Sequence, residues 1–261
     1  MHVALTIVIS LILGIVAVQA APPEVRIVGG KDTTIEKYPY VVSIRGSTNK
    51  PGCSGTITSH QFVLTAGHCT FGVLASQLSI QYGSAFVSPT GPNIVGVKRI
   101  IRHELYNKDE VHNDIALLQV QKPFVFDYVW LAPVRLPPMN FYTPQDEQGA
   151  PGTIVGWGMN STFGTLQTWL QEVDLMIMPD KACLTKQWPI YKPSPIYNIC
   201  AWEQGKGQCN ADSGGPLFYD GMQVGIISWS YKPCTMTPYP GVYTRVASYV
   251  DWILHKQMLY D

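Results

Sequence analysis

The chain has 261 residues, 46% of them hydrophobic and only 14% charged, and 18 Lys and Arg balance 18 Asp and Glu. Zero net charge excludes a general nucleic-acid binder, which needs a basic surface to displace counterions. Seven Trp, 14 Tyr and eight Phe with so few charges exclude a disordered chain, and 20 Pro with 23 Gly favour a turn-rich all-β class over a helical bundle.

The first segment, Val3 to Val18, is apolar apart from Thr6, Ser10 and Gly14. It falls short of the roughly 20 residues that cross a bilayer. It ends in Val18-Gln19-Ala20, with small or medium residues at the two positions a signal peptidase reads. This predicts a signal peptide over 1–20, cut after Ala20, a secreted extracellular chain, and no membrane association once the signal is removed. Secretion changes the reading of Cys53, Cys69, Cys183, Cys200, Cys209 and Cys234. An even count in an oxidising compartment predicts disulfides, though spacing alone cannot choose the pairing. The sequence holds no CxxC pair that would suggest zinc.

Short β-branched runs then recur between turn signals: Tyr40–Ile44, Gln61–Leu64, Ile115–Leu118, Gly152–Val155, Val224–Ile227 and Gly241–Thr244. They predict short antiparallel strands of a sandwich or barrel. The Pro-rich run Ala132–Pro138 reads as an extended connector between two halves. Near the end, Val246, Val250 and Ile253 with Tyr249 and Trp252 make one apolar helical face, which predicts a docked C-terminal helix.

Three segments carry chemistry: Leu64-Thr65-Ala66-Gly67-His68-Cys69, Asn113-Asp114-Ile115-Ala116-Leu117-Leu118, and Cys209-Asn210-Ala211-Asp212-Ser213-Gly214-Gly215-Pro216-Leu217. A hydroxyl is a poor nucleophile at neutral pH. It needs a base of pKa near 7, and the base needs a carboxylate to fix its tautomer. His68, Asp114 and Ser213 offer these roles in an order known for one triad lineage. With Ile27-Val28-Gly29-Gly30, Gly156-Trp157-Gly158, Ser228-Trp229 and Pro240–Thr244, the sequence resembles the chymotrypsin-like (trypsin-fold) serine proteases over nearly all of 27–261.

That resemblance implies two antiparallel six-stranded β-barrels, the first over about 27–132 and the second over about 133–245, with a C-terminal helix over about 246–260. It implies a serine endopeptidase that hydrolyses peptide bonds through an acyl-enzyme, and disulfides Cys53–Cys69, Cys183–Cys200 and Cys209–Cys234. Each would close a loop worth about 3 kcal/mol in the chain-entropy view. It implies activation by cleavage after Arg26, releasing a propeptide 21–26. The new Ile27 ammonium would pair with Asp212, and without it the oxyanion site should stay malformed.

The resemblance further places Gly207 at the base of the specificity pocket, with Ser230 and Gly241 as its other lining positions and Gln208 beside the base. Ser228, Trp229 and Ser230 would present a strand edge to substrate backbone. An uncharged pocket implies a preference for large apolar or aromatic residues before the scissile bond, chymotrypsin-like or elastase-like. It also implies that a separate trypsin-like protease must cleave at Arg26. Protein inhibitors are expected partners, a protein or peptide is the substrate, and a monomer is expected.

One residue departs from the family pattern. Ala211 stands where glycine normally supplies an oxyanion donor together with Ser213, and losing one donor can cost about 10² to 10³ in rate. This keeps open an alternative: a weak or inactive homologue acting as a secreted binding protein. No cofactor or metal is expected, since no Asp or Glu lies between Lys37 and His103, where a calcium loop would need carboxylates. Asn160-Ser161-Thr162 is a candidate glycosylation site.

Overall fold

The computed structural model describes residues 27–88, 90, 93–144 and 148–261. The expected signal peptide, its cleavage after Ala20, and Ala21 to Arg26 lie outside the described residues.

The chain forms thirteen strands: β1 (Lys31–Asp32), β2 (Val41–Arg45), β3 (Pro51–Ile57), β4 (Phe62–Thr65), β5 (Ser79–Gln81), β6 (Ile94–Arg102), β7 (Ala116–Val120), β8 (Ala150–Gly156), β9 (Gln171–Ile177), β10 (Asn198–Trp202), β11 (Pro216–Tyr219), β12 (Met222–Trp229) and β13 (Gly241–Arg245). Two helices accompany them, α1 (Asp180–Leu184) and α2 (Val250–Tyr260). Every strand pairing is antiparallel.

The first barrel closes in the order β2-β3-β4-β7-β6-β5, and the second runs β9-β10-β13-β12-β11-β8 and closes through β8–β9. The expected two six-stranded barrels are therefore present. All six runs read as strands from the sequence fall on strands. Alternation explains why: in β9, Val173, Leu175 and Ile177 face the second core while Asp174 and Met176 are exposed. The first barrel is filled by Val42, Ile44, Ile57, Val63, Ile80 and Leu118.

The barrel boundaries differ from expectation at both ends. Residues 27–32 do not belong to the first barrel: Ile27 is buried in the second core, and Lys31 and Asp32 pair with Glu172 and Gln171 of β9. Glu172 anchors this crossing, accepting from Thr33 Oγ1 (2.8 Å), Tyr38 Oη (2.8 Å) and Lys37 Nζ (2.6 Å). Burial would push its carboxyl up, but those donors pull it down to about 2.

The C-terminal helix is also split. Val246–Ser248 is a 3-10 turn, and the α-helix proper is Val250–Tyr260. Its Val250 and Ile253 pack with Phe62, Leu64 and Leu117 of the first barrel. Gln119 Nε2 donates to the terminal carbonyl of Tyr260 at 2.7 Å, satisfying one open acceptor of the helix end.

The Pro-rich connector is extended as expected and touches both halves. Val134 N donates to Ile57 O (2.7 Å) and Gln223 N to Arg135 O (2.9 Å). The six cysteines form Cys53–Cys69, Cys183–Cys200 and Cys209–Cys234, the pairing the resemblance implies. Among the described residues no helix is long and apolar enough to cross a membrane.

Candidate active site

His68 begins a 3-10 turn directly after β4. Its neighbour Cys69 is bonded to Cys53 of β3, and Thr70 is gripped by Arg102 through Nε to Oγ1 (3.0 Å) and Nη2 to the carbonyl (2.5 Å). The turn is thus fixed to two strands of the first barrel. Asp114 precedes β7 and is 1% exposed. The preceding Asn113 adopts φ 51°, a conformation Asn tolerates better than most residues, and its side chain is held by Leu105 O (2.9 Å) and Tyr249 Oη (2.9 Å).

The Asp114 carboxylate is fully committed. It accepts from His68 Nδ1 (2.8 Å), from His68 N (2.7 Å) and from Ser228 Oγ (2.5 Å). Thr244 Oγ1 donates to the Asp114 carbonyl at 2.8 Å. Because a carboxylate only accepts, Nδ1 carries the proton and Nε2 is left as the basic nitrogen. Burial pulls the His68 pKa down, but the hydrogen bond and charge of Asp114 outweigh it, and the net shift is upward from 6.5. His68 and Ser213 both line a cleft of about 370 Å³ whose other lining residues belong to the first half, and among the described residues His68 Nε2 contacts Cys69 Sγ (3.8 Å) with no hydrogen bond to Ser213.

Ser213 comes from the second barrel, on the loop before β11. Its carbonyl accepts from Ser54 N of the first barrel at 2.8 Å, which joins the two halves at the site. Gly214 follows with φ 79°, and a Cβ there would overlap Thr65 Oγ1 and Ser54 O, so only glycine fits. Ala211 has φ 71°, a left-handed conformation that costs a non-glycine residue about 1–2 kcal/mol. The N–H groups of Ala211 and Ser213 have no hydrogen-bond partner among the described residues.

Asp212 is fully buried and accepts from Gly158 N (2.9 Å) and Cys209 N (2.9 Å). Burial pushes its carboxyl from 3.8 up to about 7, with those bonds and the Lys232 charge opposing. A Cβ at Gly158 would overlap this carboxylate. Ile27 is fully buried, and Val28 O accepts from Gly207 N at 3.1 Å. Two backbone donors turn Asp212 inward, and among the described residues no ion pair reaches it.

The pocket beside Ser213 differs from expectation. It measures about 220 Å³ and is lined by Gln208, Cys209, Asn210, Ser228, Trp229, Ser230 and Lys232, among others. Gly207 and Gly241 are not among them. They line a separate space of about 20 Å³ on the far side of Gln208. The cause is the Gln208 side chain, 5% exposed, which donates from Nε2 to Trp229 O (3.3 Å), accepts from Tyr243 Oη, and fills the space a Cβ on Gly241 would need. Gln208 and Ser230 line both spaces, and Gln208 stands between Gly207 and the one beside Ser213.

Trp229 stands in an aromatic wall with Trp188, Tyr191 and Tyr231, at centroid distances of 5.4, 5.9 and 5.7 Å. Asn160 is half-buried with its Oδ1 accepting from Thr165 N (3.3 Å), and the hydroxyl of Thr162 accepts from Cys234 N (2.6 Å).

Sequence reasoning missed one role and two residues. Ser228, expected at a strand edge for substrate backbone, also holds Asp114 through its hydroxyl. Thr244 supports the same residue from β13. Lys232 was not singled out at all, because only the path of the 230–234 loop brings it to the pocket. A trio of potential metal ligands, Cys53, His68 and Cys69, lies within 4.8 Å. Both cysteines are disulfide-bonded, so neither offers a thiolate.

The trypsin family model matches residues 27–253. Trypsin alpha-4 of Lucilia cuprina is 33% identical over 254 residues, covering 97% of this chain and 96% of the relative. Trypsin of Sarcophaga bullata is 36% identical, covering 87% of each. Chymotrypsin-2 of Vespa crabro is 35% identical, covering 89% of this chain and 100% of the relative. Among solved structures, human heparin binding protein superposes with a TM-score of 0.75 at 25% identity, covering 88% of this chain and 96% of that one.

Proposed function

The chain belongs to the trypsin family of serine proteases, and from that premise we propose that it is a secreted serine endopeptidase working through Ser213, His68 and Asp114. The observation that carries the reading is the Asp114 carboxylate, held by three donors, gripping His68 at both Nδ1 and N, with Ser213 in the same cleft.

The chemistry follows from that arrangement. Ser213 Oγ attacks the scissile carbonyl as its proton passes to His68 Nε2. The resulting oxyanion takes the free N–H groups of Ala211 and Ser213. His68 then returns the proton to the leaving amine, and an acyl-enzyme remains on Ser213. Water, deprotonated by His68, releases the acid and restores the serine. Asp114 keeps its charge throughout and stabilises the imidazolium. Ala211 fits this role because it already holds the positive φ where glycine is usual; the alternative of a non-catalytic binding protein gains no support.

Activation by cleavage after Arg26 fits the same site. The freed Ile27 ammonium would give Asp212 the cation it lacks, and leaving a buried charge unpaired is costly. Signal removal after Ala20 would precede this step, and the cut after Arg26 would release 21–26. Self-activation at Arg26 is disfavoured, because no carboxylate lines the pocket and Lys232 does; a separate basic-specific protease must cut there. The preference for large apolar or aromatic residues rested on an open, uncharged pocket. Gln208 and Lys232 remove both conditions and favour side chains that stop above the buried amide.

The test is labelling with a fluorophosphonate after the chain has been cut at Arg26 by added trypsin. Label should appear on Ser213, and be absent from the Ser213→Ala and Arg26→Gln forms. A cleaved, folded chain that takes no label refutes the reading.

A further inference from the structure

We propose that the pocket beside Ser213 receives an acidic side chain, Glu or Asp, as the residue before the scissile bond, with Lys232 as the determinant. This rests on the protease reading above and deepens it.

Gln208, Ser230 and Lys232 are among the residues lining this space, and no carboxylate lines it. Lys232 lines this space, and the residue as a whole is exposed. The contact its Nζ makes is to the disulfide sulfur of Cys234 at 3.0 Å, a weak acceptor for a cation. No described Asp or Glu lies within ion-pair distance of it. The Ser230 hydroxyl has no hydrogen-bond partner among the described residues, and Gln208 Nε2 uses one of its two N–H groups, on Trp229 O.

The acid that Lys232 feels electrostatically is Asp212. That carboxylate is fully buried and spent on Gly158 N and Cys209 N. Once cleavage gives it the Ile27 ammonium, its pull on Lys232 is neutralised, and the pocket cation is left for substrate. A cavity of about 220 Å³ floored by an amide takes a carboxylate of Glu length. It repels Lys and Arg by charge and stops Phe and Tyr at Gln208. Attractive and repulsive elements therefore select the same class.

The experiment uses the full chain, cleaved at Arg26, on peptides that differ only in the residue before the scissile bond: Glu, Gln, Leu, Phe and Lys. At an effective dielectric near 20, one half-desolvated charge pair should make kcat/KM for Glu exceed that for isosteric Gln by about tenfold or more. Rising salt should erode the ratio. Lys232→Gln should bring it near one, and Lys232→Glu should turn the preference to Lys over Gln. Fluorophosphonate labelling is run in parallel. Labelled wild-type enzyme that cleaves Gln as well as Glu overturns the pocket assignment and leaves the protease reading intact. A cleaved chain without label overturns both.

Discussion

Replacing Asp212 by Asn in a chain that cannot be cut after Arg26 (Arg26→Gln) should flatten the stability of the precursor between pH 5 and 7.5. In the uncut chain Asp212 is fully buried with two backbone donors, and burial lifts its carboxyl from 3.8 to about 7. The unfolded chain releases this proton near 3.8, the folded chain near 7. Between those values the folded state binds more protons, so stability is present at low pH and falls as pH rises. At about 1.36 kcal/mol per pH unit of full difference, the fall from pH 5 to 7.5 comes to about 2.5 kcal/mol. Glu104 and Glu172, both lowered to about 2, lose their contribution only on the acid side and change little in this window. His68, raised above 6.5, loses stability in the same direction. It does so in both forms and cancels in their difference. Urea unfolding followed by tryptophan fluorescence at steps across this range measures it. An Arg26→Gln chain whose stability runs parallel to that of Arg26→Gln/Asp212→Asn refutes the reasoning. Wild-type chain cut at Arg26 should lose the slope as well, because Ile27 then supplies a cation.

Other substitutions probe the site separately. Asp114→Asn should drop kcat by about 10⁴. It should also move the acid limb of the pH–rate profile downward, because burial then acts on His68 unopposed; an unmoved limb contradicts the assignment. Ala211→Gly relieves about 1–2 kcal/mol of left-handed strain against about 0.5–1 kcal/mol of added chain entropy. The expected outcome is a melting temperature unchanged or raised by up to about 4 °C, and a clear fall would mean that Ala211 is not strained. Gln208→Ser should join the two pocket spaces and raise kcat/KM for Phe over Gln by about tenfold, measured on the same peptide set; no change would place the floor elsewhere.

The barrels were legible because each strand carries its own signal. Alternation in β9, the continuous buried run of β2 and the Gly and Pro punctuation are local properties of the chain. The triad residues were legible through the resemblance, because each sits in a short fixed string. What failed was non-local. Nothing near Ile27 says that it crosses to the second barrel; that depends on Glu172, far along the chain, meeting Lys37 and Thr33. Gln208 was visible beside the pocket, but whether a long amide points in or out is decided by Tyr243 and Trp229 across the sheet. Lys232 reads as a surface lysine until the loop closed by Cys209–Cys234 carries it to the cleft.

Two flanking segments cross over. The segment from Ile27 packs on the second barrel although it precedes the first in the chain, and α2 covers the first barrel although it follows the second. Each half is clasped by an arm that the order of synthesis assigns to the other. A ribosome-bound fragment ending before Val250 would leave Phe62, Leu64 and Leu117 without their lid, so the first half is finished only when the last dozen or so residues emerge. A chain lacking α2 would be left with an unsealed first core, whether or not it is later cut after Arg26.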